Sequence, residues 1–156
     1  MEVGAHSDAH LQLVRPDGNA SWMTKNRMKS PLILLFTRDG YFAQSIREAL
    51  FETGAIVLIA RDVRDGLQIV WQRGRELDSA LLDFDDGCRG MTLLSAVHTC
   101  YDRLPIVVTT SEDAEHASSL AYANGARTCL TKPLSAADFA KVISQMTVPR
   151  HQPVAA

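Results

Sequence analysis

Four groups of polar residues stand at the ends of short apolar runs in this chain. They are Thr37-Arg38-Asp39, Asp83, Thr110 and Lys132. Each alone would be read as a loop residue, a helix cap or a surface side chain. Together, a carboxylate, a hydroxyl and an ammonium ion can handle a phosphoryl group, because the carboxylate oxygen attacks phosphorus while the other two hold the phosphoryl oxygens. Lys132 suits this chemistry, since its compact charge can pair with a carboxylate before the reaction and with a phosphoryl oxygen after it.

Alternating strands and helices would position these groups. Five apolar runs of strand length are Leu32–Phe36, Ile56–Ala60, Ala80–Leu82, Ile106–Thr109 and Thr128–Leu130. Amphipathic segments separate them, and the last helix begins after Ser135, a good N-cap. This pattern predicts an α/β fold with a doubly wound, open parallel sheet covered on both faces. Chemistry in such folds gathers beyond the carboxyl ends of the strands, so we expect Asp83, Thr110 and Lys132 to meet there.

The repeating pattern occupies residues 31–147, and the two ends of the chain differ from it. Residues 1–30 lack a sustained period and contain loop-forming stretches, so we expect a flexible leader. Met28 offers an alternative translation start just before the first strand. Residues 148–156 are expected to be a flexible tail.

Composition narrows the class of protein. The chain has 156 residues, of which 46% are hydrophobic, and a formal net charge of −2. That balance argues against nucleic acid or an anionic membrane surface as a partner. No apolar stretch approaches bilayer length and no signal core is present, so we expect a cytoplasmic protein. Cys88, Cys100 and Cys129 are interpreted as reduced packing thiols.

The order and spacing of the later motifs resemble a response-regulator receiver domain of two-component signalling. "SALLDF" is similar to the strand that carries the phospho-accepting aspartate, "PIVVTTS" to the strand ending in a switch hydroxyl, and "GARTCLTKP" to the last strand and its lysine. Asp83 and Thr110 are 27 residues apart, and Thr110 and Lys132 are 22 apart. The resemblance implies a flavodoxin-like (βα)5 fold with strand order 2-1-3-4-5.

The resemblance also implies roles, residue by residue. Asp83 would be the phospho-acceptor, Thr110 the switch hydroxyl and Lys132 the phosphoryl-contacting base. Asp85 and Glu112 would fall where the family tunes dephosphorylation.

Two positions depart from the family pattern. Receivers bind Mg²⁺ with two adjacent acids after strand 1, and Thr37 and Arg38 occupy the matching positions. Arg38 supplies no oxygen ligand; pointing inward, it would substitute for the cation. If strand 1 is shifted by one residue, Asp39 could still bind Mg²⁺ with Asp83 and the backbone of Asp85. Cys129 stands where the family carries a Tyr or Phe switch, which puts the usual relay in doubt.

For two further residues the sequence predicts a structural role rather than a chemical one. Thr109 is expected to face the core rather than the site. Trp71 is interpreted as a core or partner-facing aromatic side chain.

The resemblance favours a response regulator that carries no output domain of its own and is not an enzyme beyond self-dephosphorylation. A histidine kinase or phosphotransfer protein would phosphorylate Asp83, and a downstream protein or a second copy would read the surface of helix 4, strand 5 and helix 5. The alternative is a pseudo-receiver, an interaction module that works without phosphorylation. A third possibility, a small flavodoxin-like enzyme or nucleotide binder, lacks a glycine-rich phosphate loop, since Gly40 is the single glycine after strand 1.

Overall fold

The computed structural model of the chain describes residues 30–84, 88–111 and 114–147. The strands are β1 Leu32–Phe36, β2 Ile56–Ala60, β3 Ser79–Asp83, β4 Ile106–Thr110 and β5 Thr128–Thr131. The helices are α1 Gly40–Phe51, α2 Val63–Arg73, α3 Cys88–Cys100, α4 Ala114–Ala123 and α5 Ala136–Met146, with a 3₁₀ turn at Gly74–Glu76. The predicted leader 1–30 and tail 148–156 lie outside the described residues, apart from Ser30 at the start.

One sheet holds all five strands in the order β2-β1-β3-β4-β5. Every neighbouring pair is parallel. This arrangement confirms the predicted doubly wound α/β fold and its strand order. The order reverses at β1 and β3, so the carboxyl ends of these two central strands flank the crevice where such folds carry chemistry.

Two apolar layers enclose the sheet, because side chains alternate between its faces along each strand. One layer joins Ile33, Leu35 and Leu81 to the inner faces of α1 and α5. The other joins the residues of opposite parity to helices α2, α3 and α4. All residues of β1, β3 and β4 are buried, which explains why these strands read as continuous apolar runs.

Local signals fix the ends of the two helices nearest the predicted site. The Asp39 side chain caps α1 by accepting from the amides of Tyr41 and Phe42. Ser135 and Asp138 form a reciprocal capping box at the start of α5. The other end of α5 is tied to the sheet, since Ser79 Oγ donates to the Met146 carbonyl at 3.1 Å.

None of the helices within the described ranges is long and apolar enough to cross a bilayer.

Candidate functional site

Asp83 ends the central strand β3, and its side chain is only 1% exposed. Two threonine hydroxyls donate to it from the neighbouring strands. Thr37 Oγ1 lies 2.7 Å from Oδ2, and Thr109 Oγ1 lies 3.2 Å from Oδ1. Thr109 is the register partner of Asp83 on β4, and Thr37 follows β1 at the equivalent level. Both hydroxyls therefore reach Asp83 because neighbouring residues at one level of a parallel sheet point to the same face.

Lys132 completes the ring of donors around Asp83. Its ammonium nitrogen lies 3.1 Å from Oδ2 and 3.1 Å from Oδ1. The backbone amide of Lys132 donates to the Thr110 carbonyl at 2.8 Å, which extends the β4–β5 ladder past the end of β5. The ammonium group also lies 4.6 Å from the ring centroid of Phe42 on α1, a favourable cation–π distance. The following peptide bond, to Pro133, is cis.

The residues after β1 are each held by neighbouring groups. Thr37 is buried; besides donating to Asp83, its hydroxyl accepts from the Asp39 amide at 3.0 Å. Arg38 is exposed, and its Nε donates to the Arg61 carbonyl at 3.3 Å. Arg61 follows β2, on the far side of β1 from Asp83, so this contact directs Nε away from the carboxylate. The strand shift considered for Asp39 does not occur, since Thr37 is the residue that lies beside Asp83.

The side chains at this position do not fit the Mg²⁺ site that the resemblance implies. Mg²⁺ requires near-octahedral oxygen ligands, and carboxylates supply most of its protein contacts. Thr37 offers a neutral hydroxyl whose proton is directed at Asp83, and Asp39 uses Oδ1 to accept from two α1 amides. No group of three or more metal-binding side chains occurs within 30–84, 88–111 and 114–147. Asp85 and Glu112 lie outside the described residues.

Thr110 lies next to Thr109 but, by strand alternation, on the opposite face of the sheet. It is buried and has the same parity as Val108, whose register partner is Cys129. Cys129 is partly buried and packs against the layer formed with α2, α3 and α4. Thr110 and Cys129 therefore belong to the face of β4 and β5 that α2, α3 and α4 cover, while Asp83, Thr37 and Thr109 belong to the α1–α5 side.

A tyrosine from α4 lies over β5 where the family carries an aromatic residue on the strand. The hydroxyl of Tyr122 accepts from the Cys129 amide at 3.2 Å. Because the Lys132 amide faces β4, the Cys129 amide, of opposite parity, faces the open edge of the sheet. Tyr122 thus satisfies a donor on an edge strand.

An open cleft of about 440 Å³ adjoins the site on the α1–α5 side. Tyr41, Phe42 and Phe139 line it together with Lys132. The Tyr41 side chain is 87% exposed. The ammonium group that holds Asp83 therefore lies at the edge of an accessible, partly aromatic surface.

The structure brings Asp83 and Lys132 together as predicted. The β4 hydroxyl beside Asp83 is that of Thr109 and not that of Thr110 as predicted, because Thr109 is the register partner of Asp83. Thr37 and Thr109 are the two groups that sequence reasoning missed. Thr109 is buried, as expected, but its hydroxyl also contacts Asp83. Thr37 was considered only as a missing acid. The signal that could have found both is position, since each threonine ends its strand at the same level as Asp83.

The exposed Trp71 lies away from this site on α2, in a groove with Val63 and Leu67. Its core interpretation is therefore wrong, and the partner-facing one stays a prediction. Of the cysteines, Cys100 and Cys129 are free thiols.

Solved structures similar to this one include receiver domains and response regulators. A CheY-like receiver domain protein from Methanospirillum hungatei has a TM-score of 0.65 and 22% identity, over 75% of this chain and 93% of its own. A receiver domain protein from Clostridium thermocellum has a TM-score of 0.67 and 24% identity, over 75% and 94%. A Burkholderia pseudomallei response regulator, solved with a phosphorylated aspartic acid, calcium and citrate, has a TM-score of 0.64 and 18% identity, over 75% and 66%.

Comparison with family models gives a more specific result than these distant structures, whose likeness shows the fold alone. No curated protein matches the chain. The family model for the response regulator receiver domain matches residues 33–144, a span that includes β1 through most of α5 and every residue found around Asp83. The chain therefore belongs to the response-regulator receiver family of two-component signalling proteins.

Proposed function

We propose that this receiver accepts a phosphoryl group on Asp83 from the phosphohistidine of a histidine kinase or phosphotransfer protein. The observation that carries the proposal is the contact of Asp83 with Lys132 at 3.1 Å, in a pocket that also supplies the Thr37 and Thr109 hydroxyls. These donors hold the carboxylate in one orientation at the sheet edge. The same donors suit the oxygens of a phosphoryl group attached to it.

The transfer follows from the chemistry of the two partners. One oxygen of Asp83 attacks phosphorus, the P–N bond to the imidazole breaks, and its electron pair returns to the ring nitrogen. The product is an acyl phosphate on Asp83. Lys132 compensates the added negative charge, because its ammonium group lies within 3.1 Å of both carboxylate oxygens before the reaction.

The cleft beside Lys132 is the proposed docking surface for the donor protein. An incoming histidine must approach Asp83 from solvent, and Lys132 lies between the buried carboxylate and the cleft. Tyr41 and Phe139 provide exposed and partly buried aromatic surface there, which is typical of protein contacts. The output would pass through Thr110 and Cys129 to the surface of α4, β5 and α5, which a partner protein or a second copy would contact.

Phosphorylation with acetyl phosphate tests the acceptor directly. The full chain, Asp83→Asn and a control, Asp102→Asn, would be incubated with the donor and measured by intact mass. Asp102 is an exposed carboxylate after α3. We expect one added phosphoryl group on the unmodified chain and on Asp102→Asn, and none on Asp83→Asn. Equal labelling of the unmodified chain and Asp83→Asn would contradict the proposal.

A phosphorylation-independent interaction module is the second candidate, and one observation favours it. Asp83 is already satisfied by three donors in its unphosphorylated form, which is the state such a module would keep. Beryllofluoride, a phosphoryl mimic, separates the two candidates. Binding that disappears in Asp83→Asn supports the phospho-acceptor, and the absence of binding supports the module.

A further inference from the structure

We infer that the Asp83 site works without a divalent cation, and that Thr37 is the positioning residue that takes the place of a metal-binding acid. The inference deepens the proposed function and rests on it only where labelling of Asp83 is concerned. Its first support is the location of Thr37, which lies beside Asp83 and donates to Oδ2 at 2.7 Å. The same oxygen accepts from Lys132 at 3.1 Å, so a metal ion bound to it would have to displace one of these two contacts.

The second support is that the Thr37 hydroxyl is fixed from both sides. Its oxygen accepts from the Asp39 amide at 3.0 Å, while its proton is directed at Asp83. Thr37 is 2% exposed, so water does not compete with these partners. A cation at this oxygen would have only its one remaining lone pair, because the other accepts from the Asp39 amide and the proton is directed at Asp83.

The third support is the use made of Asp39. Oδ1 accepts from the amides of Tyr41 and Phe42 at 2.9 and 3.1 Å, an arrangement that caps α1. Rotation toward a metal ion would remove the cap of the helix whose Phe42 ring contacts Lys132. Asp39, the acid that follows the two positions of the expected pair, therefore already serves as the N-cap of α1.

The fourth support is the charge balance of the described residues. Asp83 carries negative charge, and the positive charge of Lys132 lies 3.1 Å from both of its oxygens, so this pair is neutral before any ion is added. A dication is attracted to a pocket with excess negative charge, which three acids and one lysine would provide. Replacing one acid by threonine and another by arginine removes that excess. The proton donors Thr37, Thr109 and Lys132 then remain to contact the phosphoryl oxygens.

Mg²⁺ binding can be tested without reference to phosphorylation. The melting temperature of the full chain would be followed up to 10 mM MgCl₂ (about ten times a millimolar Kd) at ionic strength matched with NaCl, with calorimetric titration as the direct measurement. We expect no Mg²⁺-dependent shift in the unmodified chain or in Asp83→Asn. The double variant Thr37→Asp/Arg38→Asp should gain a rise of roughly 3–8 °C. A rise in the unmodified chain that Asp83→Asn lacks would overturn the inference.

The positioning role of Thr37 requires a second readout. Acetyl phosphate labelling would be timed with EDTA and with Mg²⁺, well below the melting temperature, in Thr37→Val and Thr37→Ser. We expect equal rates in both buffers for the unmodified chain, a loss of roughly 10-fold or more in Thr37→Val, and recovery in Thr37→Ser. A Thr37→Val variant that melts earlier but labels at the normal rate would show that the hydroxyl is merely structural.

The two proposals fail in different ways. Labelling that occurs only with Mg²⁺ would overturn the metal-free inference and leave the phospho-acceptor intact. No labelling in any buffer would contradict the phospho-acceptor, while the melting and calorimetric results would still decide whether the pocket takes a dication.

Discussion

The hydroxyl of Tyr122 accepts a hydrogen bond from the backbone amide of Cys129 at 3.2 Å, and this contact joins α4 to the open edge of β5. The family pattern carries an aromatic side chain on β5 at the position of Cys129. Here the aromatic ring comes from α4, is half exposed, and contacts the strand backbone. This receiver therefore has an α4–β5 connection that does not depend on a β5 side chain.

Removing the Tyr122 hydroxyl should loosen the edge of β5 without disturbing the core. In Tyr122→Phe the Cys129 amide loses its acceptor and hydrogen-bonds to water instead. We expect the free energy of unfolding to fall by about 0.5–1.5 kcal/mol. Hydrogen exchange at the Cys129 amide should become faster, as measured by NMR. Tyr41→Phe is the control, because Tyr41 is almost fully exposed on α1; equal effects of the two variants would contradict this account.

Lys132 and Asp83 should be strongly coupled in stability. The pair is buried, with side-chain exposures of 14% and 1%, so Lys132→Met leaves a buried carboxylate without its cation. We expect this variant to lose about 3–5 kcal/mol in urea unfolding. In Lys132→Met/Asp83→Asn the loss should be much smaller than the sum of the single losses, and additive losses would show that the ion pair is unimportant.

The two adjacent threonines of β4 should differ in their coupling to Asp83. Thr109→Val removes a donor to Oδ1, whereas Thr110 lies on the other face of the sheet. Each valine variant would be combined with Asp83→Asn in a double-mutant cycle from urea unfolding. We expect a coupling of about 0.5–3 kcal/mol for Thr109 and close to zero for Thr110 in the unphosphorylated protein. A larger coupling energy for Thr110 than for Thr109 would mean that Thr110 is the threonine that contacts Asp83 in the unphosphorylated protein.

A side chain at Gly90 should destabilise the protein, because the Phe84 ring next to Asp83 occupies the space that it would need. A Cβ at this position of α3 would lie 2.2 Å from Cδ1 of Phe84, the buried ring that follows Asp83. Alanine is favoured over glycine in a helix by about 1 kcal/mol, but overpacking a core costs about 1–3 kcal/mol. We expect Gly90→Ala to be destabilised in urea and to label more slowly with acetyl phosphate.

Gly40→Ala is the matched control for Gly90→Ala. It begins α1, and a Cβ there would meet nothing within 4 Å. Its stability should be unchanged or slightly raised. If both alanine variants behaved alike, the contact with Phe84 would not explain the glycine.

Much of the fold could be predicted because each strand is apolar and bounded by turn signals. The first two strands agree with their predicted bounds, and the strand order follows from right-handed crossovers and the family resemblance. Leu120 shows where periodicity fails. Helical spacing predicts that Leu120 shares the buried face of α4 with Ala121, but Leu120 is 43% exposed while Ala121 is buried.

The site was harder to predict, because contacts between strands depend on register. Asp83 and Lys132 could be named from their chemistry and their positions after strands. Thr37 and Thr109 could not, since a threonine at the end of an apolar run reads as part of the strand until the pairing places it beside Asp83. The hydrogen bond from Arg38 Nε to the Arg61 carbonyl could not be predicted either, because Arg61 follows β2 and is distant from Arg38 in the sequence.

The hydrogen bond from Ser79 to the Met146 carbonyl has a mechanical consequence. Ser79 and Asp83 are the two ends of β3, about 13 Å apart at strand rise, so one strand contacts the C-terminal turn of α5 at one end and carries the Asp83 carboxylate at the other. The N-terminal turn of α5 begins close to Lys132. The strand that carries Asp83 therefore also anchors the far end of the helix that follows Lys132, so α5 is connected to the site at both of its ends.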